Sequence, residues 1–366
     1  MSFGKFGTDR EERINYERMR KYRLERVQRQ MEKEGLGAII TWDAYSIRYI
    51  AGHYITVPTR WIENQFVILP RDGDPHIFGG PSMVDRLRRD MPWLKGKIYP
   101  QGPSLKFART KDDLRKLVNT VYNILKEYKV EKEPLGLDGC TSELLVKEAF
   151  KDVGVEVVDA KYTMLEARKI KCKEEIECIR IACAHAEAAF AEIQKAIRPG
   201  VTECELVGIG MKTLYSLGAD EVQEFVCVSG ENTNPFRIDY TDRVIRPGDI
   251  VIVDINGNSF QGYKSCYYRV FCCGKPTQEQ KEIYEVCRDM LYEALKVVRA
   301  GNTTRDIVEK WPSDPSFWGY TTWDEVMPLA TGHGIGLSLH ELPFIHPPEA
   351  RANPVRLEEG MVIALE

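Results

Sequence analysis

The feature that most constrains the fold of this chain is an internal repeat in its second half. Six positions recur at a constant offset, each set after a long amphipathic segment: Arg198, Gly200, Thr202, Glu205, Leu206 and Val207 are matched by Arg299, Gly301, Thr303, Asp306, Ile307 and Val308. Both copies place a threonine three residues before an acid, which satisfies free N–H groups at a helix start. The repeat predicts a domain of two related halves, each a helix, a glycine turn and a capped helix. The alternative is a chance match between common turn residues.

A second feature is the glycine-rich segment 332–343, which contains two of the six histidines of the chain. It reads Gly-His-Gly-Ile-Gly-Leu-Ser-Leu-His-Glu-Leu-Pro and separates His333 from His340 by seven positions. Glycine permits positive φ and close approach of a ligand, and neutral imidazole is both a common metal ligand and a proton carrier near pH 7. Side chains alternate faces on an extended chain, so a bulge is needed for both rings to face one cavity. The segment predicts an active site, and the alternative is two ordinary polar loop residues.

Composition excludes several classes of function. A formal net charge of -4 and a pI near 6.0 provide no field that would attract nucleic acid or an anionic membrane. No apolar stretch approaches the length of a membrane span, and the charged segment 9–13 is unlike a signal peptide. Ten cysteines without metal-finger spacing fit reduced thiols. We therefore expect a cytoplasmic protein that binds a small molecule or short peptide.

In the first part of the chain, predicted strands alternate with predicted helices. Apolar runs predict strands at 38–42, 66–69, 135–138 and 155–158, and charged amphipathic patterns predict helices at 17–27, 112–127 and 142–150. These elements predict an α/β domain over residues 1–160. The second domain then covers residues 161–366.

The pattern Gly-His-Gly-Ile-Gly-Leu-x-x-His-Glu-x-Pro resembles the fingerprint of the creatinase/aminopeptidase superfamily, whose catalytic domain is called the pita-bread fold. Segments 168–176, 246–254 and 359–366 are similar to other conserved parts of that family and follow in the same order. The resemblance implies a ribonuclease-H-like creatinase N-terminal domain, in which 47–52 resembles the second strand. It further implies an α+β catalytic domain with a pseudo-twofold repeat, Asp254 and His333 at the junction of its halves, and a homodimer.

The resemblance also implies a metal site, and this chain departs from it. Family peptidases hold two Mn, Co, Zn or Fe ions with two aspartates, one histidine and two glutamates. Asp254, His333 and Glu366 match three of these ligands, whereas Cys266 stands where the second aspartate is expected. The last glutamate is absent because the sequence stops at Glu366, where we expect a truncated chain.

Two readings of this altered site remain open. A single ion bound by Asp254, Cys266, His333 and Glu366 would have oxygen, nitrogen and sulfur ligands, which suit Zn or ferrous iron better than Mn. Without metal, as in creatinase, Glu366 or His333 would deprotonate a water while His340 protonates the departing nitrogen and Asp254 orients an imidazolium. Cys266 is alternatively an inert packing thiol.

Candidate substrate contacts come from four further segments. The peptidase branch has a Pro-His pair where this chain has Phe236, and Arg237 with Arg269 could clamp a substrate carboxylate. Trp323 belongs to an aromatic cluster that is either a core patch or a pocket wall for a cationic group. Glu341, directly after His340, is also expected to contact substrate.

Three functions follow from these alternatives. The first is a hydrolase or lyase acting on a small C–N or C–S compound by acid–base chemistry at a degenerate metal site. The second is a metal-dependent Xaa-Pro aminopeptidase or dipeptidase, and the third is a binding homologue without catalysis. The dimethylsulfoniopropionate lyase branch holds iron with aspartates at positions that are Asn256 and Cys266 here, which argues against that reaction.

Overall fold

The computed structural model describes residues 14–54, 64–100, 105–326 and 331–366. Segment 9–13, whose charge entered the signal-peptide argument, lies outside these residues. The chain divides into two compact units, one formed by Asn15–Arg168 and the other built on Lys169–Glu366.

The first unit is a mixed sheet flanked by helices. Its six strands are β1 (Ala38–Thr41), β2 (Phe66–Pro70), β3 (His76–Gly79), β4 (Ile98–Pro100), β5 (Leu135–Asp138) and β6 (Val157–Asp159), in the spatial order β4-β3-β2-β1-β5-β6. Its helices are α1 (Tyr16–Glu34), α2 (Ala44–Ala51), α3 (Pro81–Asp90), α4 (Arg115–Glu127), α5 (Glu143–Lys151) and α6 (Lys161–Arg168). Strand β1 pairs antiparallel with β2 and parallel with β5, so three of the strands predicted from apolar runs form the centre of the sheet, and the fourth, β6, lies at its edge.

One predicted strand of this unit is wrong. Segment 47–52 lies in helix α2 and its terminal glycine, and the helix begins after Asp43, whose carboxylate accepts a hydrogen bond from Ser46 N at 2.7 Å. Gly52 ends it with φ 82°, a left-handed C-cap. The strand was expected only from the family resemblance, whereas the cap residues at both ends of the segment indicate a short helix.

The division between the units follows Arg168, whereas the sequence prediction put the boundary at residue 160. Helix α6 therefore belongs to the first unit. It is attached to α1, because Arg26 donates to the carbonyl groups of Ala167 and Glu166, both at 3.1 Å. These contacts join residues far apart in the sequence, and no local pattern reveals them.

The second unit contains two small antiparallel sheets and five helices in the described residues. The helices are α7 (Lys173–Ala196), α8 (Glu203–Ser216), α9 (Gln278–Leu295), α10 (Thr304–Val308) and α11 (Pro347–Ala352). One sheet has the order β7-β8-β9, formed by Glu224–Ser229, Ile250–Phe260 and Tyr263–Cys272. The other has the order β11-β10-β12, formed by Glu341–Phe344, Gly332–Gly334 and Ile363–Leu365.

The internal repeat predicted from the sequence is visible in the structure, because the two copies form equivalent backbone hydrogen bonds. Gly200 and Gly301 take φ of 92° and 96°, and each donates its N–H to a returning chain, to Ile245 O at 3.0 Å and to Leu357 O at 2.9 Å. Thr202 and Thr303 then cap α8 and α10 with matching capping boxes. The predicted two-half architecture is confirmed by these equivalent contacts.

Burial differs among the helices of this unit. Helices α7 and α8 pack their apolar sides against β7 and β8, with Phe190, Ile193 and Leu206 in the core. Helix α9 instead leaves Ile283, Tyr284, Val286, Tyr292 and Leu295 exposed. None of the described helices has the length and apolarity needed to cross a membrane.

Candidate active site

The sheet β7-β8-β9 has one apolar face and one polar face. Side chains alternate along a strand, so Val251, Val253 and Ile255 enter the core beside α7 and α8. Their neighbours point the other way, and strand pairing places Asp254 opposite Tyr268 and Asn256 opposite Cys266. The polar face therefore presents an acid, an amide, a thiol and a phenol as one group.

The other small sheet brings His333 and Glu366 to this group. Strand β10 pairs with β12 so that His333 lies opposite Ala364, and Glu366 follows directly after β12. The pairing of β10 with β11 is shifted between His333 and Gly334, which is the bulge that the histidine spacing requires. A Cβ on Gly334 would lie 2.1 Å from Leu342 O, so the backbone approach here demands glycine.

Three side chains converge at the centre of the site. Glu366 Oε1 lies 3.1 Å from His333 Nε2 and 3.2 Å from Cys266 Sγ. Among the described residues, Cys266, His333 and Glu366 form the group whose possible ligand atoms all lie within 4.8 Å of one another. They come from two different sheets, so the site depends on the tertiary fold.

The cluster contains more hydrogen-bond acceptors than hydrogens available to donate to them. His333 Nδ1 contacts Gly334 O at 2.9 Å, and because a carbonyl only accepts, Nδ1 carries the hydrogen and Nε2 of the neutral ring is a lone pair. That lone pair faces a carboxylate oxygen. The Cys266 thiol has a single hydrogen but two acceptors in reach, Asn256 Oδ1 at 3.0 Å and Glu366 Oε1. A cation between the acceptors would complete the arrangement.

Asp254 supplies an independent indication of the same kind. It is 1% exposed, and Oδ1 has no hydrogen-bond partner among the described residues, while Oδ2 accepts from the Asn256 amide. Burial, with Glu366 and Glu224 adding to it, raises the pKa of Asp254 to about 8, although hydrogen bonds from Tyr268 and Asn256 oppose the shift. A buried acid with too few donors suits a metal ion.

His340 joins His333 at the edge of the site. The two ring centroids are 4.3 Å apart and the ring planes are inclined by 64°. Burial lowers the pKa of His340, and the neighbouring His333 lowers it further. The structure thus brings together the two imidazoles that the sequence singled out, and their catalytic roles remain predictions.

Glu341 does not lie where a substrate contact was expected. Its side chain is fully buried and forms an ion pair with Lys171, whose Nζ lies 2.9 Å from Oε2. Its other oxygen accepts from Ser338 N at 3.1 Å. A Cβ on Gly336 would lie 2.4 Å from Glu341 Oε2, so the carboxylate fills the loop between the two histidines. Glu341 is a structural acid that holds this loop.

Arg269 also lies outside the site. It is an odd number of positions from Cys266 on β9 and therefore points to the opposite face of the sheet. There it pairs with Glu187 at 2.5 Å and lies over the rings of Phe190 and Tyr267. The predicted carboxylate clamp with Arg237 is wrong for this reason.

The remaining candidates are not brought to the cluster by any described contact. Arg237 binds Asp239 through two hydrogen bonds of 2.8 and 2.7 Å and is exposed, and Phe236 beside it is half-buried. Trp323 donates to Ser313 O at 3.1 Å and lies under Arg351. Of its aromatic cluster, Trp311 is in the core whereas Phe317, Trp318 and Tyr320 are exposed, so neither the core patch nor the pocket wall describes the cluster as a whole.

Sequence reasoning missed three polar neighbours of the site. Asn256 was noted only as a departure from a lyase, whereas Tyr268 and Glu224 were not considered. Asn256 Nδ2 lies 3.5 Å from Glu224 Oε2, and the phenol of Tyr268 is bonded to Asp254. Alternation along β8 and β9 was the available signal for Asn256 and Tyr268, which share the face of Asp254, whereas Glu224 reaches this face through the pairing of β7 with β8.

Comparison with known proteins agrees with this architecture. The sequence profile of metallopeptidase family M24 matches residues 177–366, and that of the creatinase/prolidase N-terminal domain matches residues 23–170. The chain therefore belongs to metallopeptidase family M24. The predicted superfamily, the two-domain fold and the assignment as a hydrolase are confirmed at this level.

Individual relatives are named as peptidases. The chain is 27% identical to an Xaa-Pro dipeptidase of Pyrococcus furiosus over 350 residues, covering 94% of this chain and 90% of the relative. It is 32% identical to an Xaa-Pro dipeptidase of Lactobacillus helveticus over 208 residues, covering 54% of this chain and 52% of the relative. An Xaa-Pro dipeptidase structure from Bacillus anthracis has a TM-score of 0.73 at 25% identity and covers 94% of this chain and 89% of its own. A prolidase structure from Thermococcus sibiricus, with a TM-score of 0.75 at 23% identity and coverage of 94% and 89%, supports the fold.

Proposed function

We propose that this chain is a metal-dependent hydrolase of short peptides, with Xaa-Pro dipeptides as the first substrate class. The observation that carries the proposal is the contact between Nε2 of His333 and Oε1 of Glu366, 3.1 Å apart, which are both acceptors when the ring is neutral. Two acceptors at hydrogen-bond distance need a shared proton or cation. The names of the relatives supply the substrate class. The proposal narrows the broader expectation of a C–N or C–S hydrolase or lyase.

Four residues would hold a divalent ion: Asp254, Cys266, His333 and Glu366. When bound, such an ion supplies a Lewis acid that polarises a carbonyl and activates water near neutral pH. The protein supplies the orientation of the ligands. His333 is fixed because Nδ1 donates to Gly334 O, which leaves Nε2 directed at the cluster.

His340 is the residue that we assign to proton transfer. It lies against His333 but is only half-buried, so its ring borders the cluster and remains accessible. An imidazole there can protonate the departing nitrogen when a C–N bond breaks. Burial of Glu341 beneath the loop holds His340 in this place.

Hydrolysis of a small C–N compound without metal is the second candidate. It is favoured by the neutral pair of Asn256 and Cys266, which replaces carboxylates that a lyase or peptidase would direct at a metal. In this reaction Glu366 would hold and deprotonate a water, with His340 again donating to nitrogen. Metal dependence separates the two candidates.

The test is an assay of purified protein before and after chelation, with Zn, Co, Mn or ferrous iron restored singly. Xaa-Pro dipeptides are compared with Xaa-Ala dipeptides and with a small guanidino compound such as creatine. We expect metal-dependent turnover of the Xaa-Pro series and its loss by about a hundredfold or more in His340→Asn. His185→Asn is the matched control, since His185 is a half-buried imidazole that contacts Phe260 elsewhere.

Two results would overturn the proposal. Absence of Xaa-Pro cleavage with every metal removes it, and turnover of the guanidino compound by chelated protein establishes the second candidate instead. The expected homodimer and cytoplasmic location belong to the same proposal on family grounds. Sedimentation of the purified protein tests the dimer, and fractionation of the source cells tests the location.

A further inference from the structure

The site contains a thiol, Cys266, where the family peptidases are expected to place a carboxylate, and an amide, Asn256, where the lyase branch is expected to place one. We propose that it binds one thiolate-ligated ion, with zinc or ferrous iron preferred over manganese, in place of a carboxylate-bridged pair of ions. This inference deepens the proposed function and rests on it for the choice of the site. It concerns the number and kind of ion, which can be measured without any substrate.

Cys266 is placed as a ligand. Its sulfur lies 3.2 Å from Glu366 Oε1, in the same cluster as His333 Nε2, and it is partly buried on the polar face of β9. One S–H cannot donate to both Asn256 Oδ1 and Glu366 Oε1. A cation that replaces this hydrogen would satisfy the sulfur, the carboxylate and the imidazole together.

Asp254 is not part of the group whose ligand atoms lie within 4.8 Å, but it adjoins that group through Asn256 and independently points to a cation. Its Oδ1 is buried and has no partner among the described residues, which is costly unless a ligand occupies that side. A metal ion would supply the missing partner of this oxygen.

Asn256 limits the site to one ion. Its amide nitrogen donates to Asp254 Oδ2, and its carbonyl oxygen lies 3.0 Å from Cys266 Sγ. The N–H group therefore occupies the side of Asp254 that a second, shared ion would need. An amide hydrogen cannot be lost to make room for a cation, whereas an aspartate at this position would attract one.

The donor set decides the preferred metal. Sulfur, one imidazole nitrogen and carboxylate oxygens form a mixed shell that suits zinc and ferrous iron, whereas manganese favours oxygen ligands alone. A carboxylate in place of the Cys266 thiol would not disfavour manganese relative to zinc or ferrous iron. Cys266 thus shifts the metal preference toward zinc or ferrous iron, and it is not an inert packing thiol.

The experiment is loading of the chelated full-length protein with Co(II), which serves as the spectroscopic probe for the zinc position. We expect one ion per chain by elemental analysis and an intense near-ultraviolet absorption from charge transfer between thiolate and cobalt. Cys266→Ser should lose this absorption. Cys183→Ser should retain it. Cys183 is a half-buried thiol of helix α7 that is hydrogen-bonded to Tyr267, and Tyr267 lies on the face of β9 opposite to Cys266.

Two further variants test the inference if Cys266→Ser is poorly folded. Cys266→Asp should lose the absorption and improve binding of Mn relative to Zn by about tenfold or more. Asn256→Asp should keep the absorption and raise the stoichiometry above one. Circular dichroism establishes that each variant is folded.

The possible outcomes are distinct. Two ions per chain without the charge-transfer absorption would refute the inference while leaving metal-dependent peptide hydrolysis intact. One ion with the absorption but no hydrolysis of Xaa-Pro dipeptides would support the inference and remove the proposed function. Retention of the absorption in Cys266→Ser, or failure of the wild-type protein to bind Co(II), would also refute it.

Discussion

Glu203 and Asp254 are both buried acids beside the β7-β8-β9 sheet, but their surroundings differ. Glu203, the first residue of α8, accepts from Ser229 N and Oγ at 2.7 Å each, and from Thr241 N and Oγ1 at 2.9 and 2.7 Å. Asp254 accepts from Asn256 at Oδ2 and also interacts with the phenol of Tyr268, but its Oδ1 has no partner among the described residues. The acid that holds the fold has a full set of donors, whereas the acid that we propose as a metal ligand lacks a partner at one oxygen.

The buried lysines follow the same rule as Glu203. Lys171 pairs with Glu341 at 2.9 Å, and Lys264 pairs with Glu221 at 2.9 Å. Each of these lysine side chains is almost wholly inaccessible, so each ion pair removes an otherwise large cost of burying a charge. Among the described residues, no lysine or arginine forms an ion pair with Asp254 or Glu366, and Glu366 contacts only the imidazole of His333 in this way. This contrast separates the acids that hold the fold from those that we propose as metal ligands.

Replacing Asp254 is the strongest test of the contrast between Asp254 and Glu203. We expect Asp254→Asn to lower metal-dependent hydrolysis by about a thousandfold or more, because the site loses a charged ligand. The same change should stabilise the metal-free protein by about 0.5–2 kcal/mol, since a confined carboxylate is removed. Assays of turnover and urea unfolding measure the two effects. A variant that loses both activity and stability would mean that Asp254 supports the fold as Glu203 does.

Removing the partner of a satisfied acid should have the opposite effect on stability. Lys171→Met leaves the Glu341 carboxylate buried without its cation and should cost about 3–5 kcal/mol in urea unfolding. The double variant Lys171→Met with Glu341→Leu should recover most of this loss, although Ser338 N then lacks its acceptor. Additive losses in the double variant would show that the two residues do not depend on each other.

Glu203→Gln tests the satisfied acid itself. The amide would direct N–H groups at donors from Ser229 or Thr241, so we expect a loss of about 3 kcal/mol. Metal stoichiometry should stay unchanged, because Glu203 takes no part in the metal cluster. Glu205→Gln on the same helix is the control, since its capping role at an exposed position predicts a loss of about 1 kcal/mol or less.

The sequence predicted features of this molecule that depend on local chemistry. The glycine turns and capping boxes at Thr202 and Thr303 follow from steric and hydrogen-bonding needs within a few residues. Convergence of His333 and His340 was expected because the intervening glycines permit a bulge. The central strands of the first unit were evident as apolar runs.

The errors have two different causes. Helix α2 and the orientation of Arg269 were decidable, from the Asp43 cap and from the odd spacing between positions 266 and 269. The pairing of Glu341 with Lys171 was not, because most of the second unit separates the two residues in sequence and only the tertiary fold joins them. The role of Asn256 likewise required the pairing of β8 with β9.

A pH titration extends the comparison to the first unit, where His53 is a buried group kept neutral. Its Nε2 lies 2.6 Å from Gln65 Oε1, and burial lowers the pKa of His53 to about 4. Because an unfolded histidine titrates near 6.5, the unfolded chain binds more protons between these values and stability falls as the pH falls through this window. We expect His53 to remove about 2 kcal/mol of stability between pH 7 and pH 5. His53→Gln should reduce that pH dependence by a similar amount, measured by urea unfolding at each pH. An unchanged slope would show that the pKa of His53 is the same in the folded and unfolded chain.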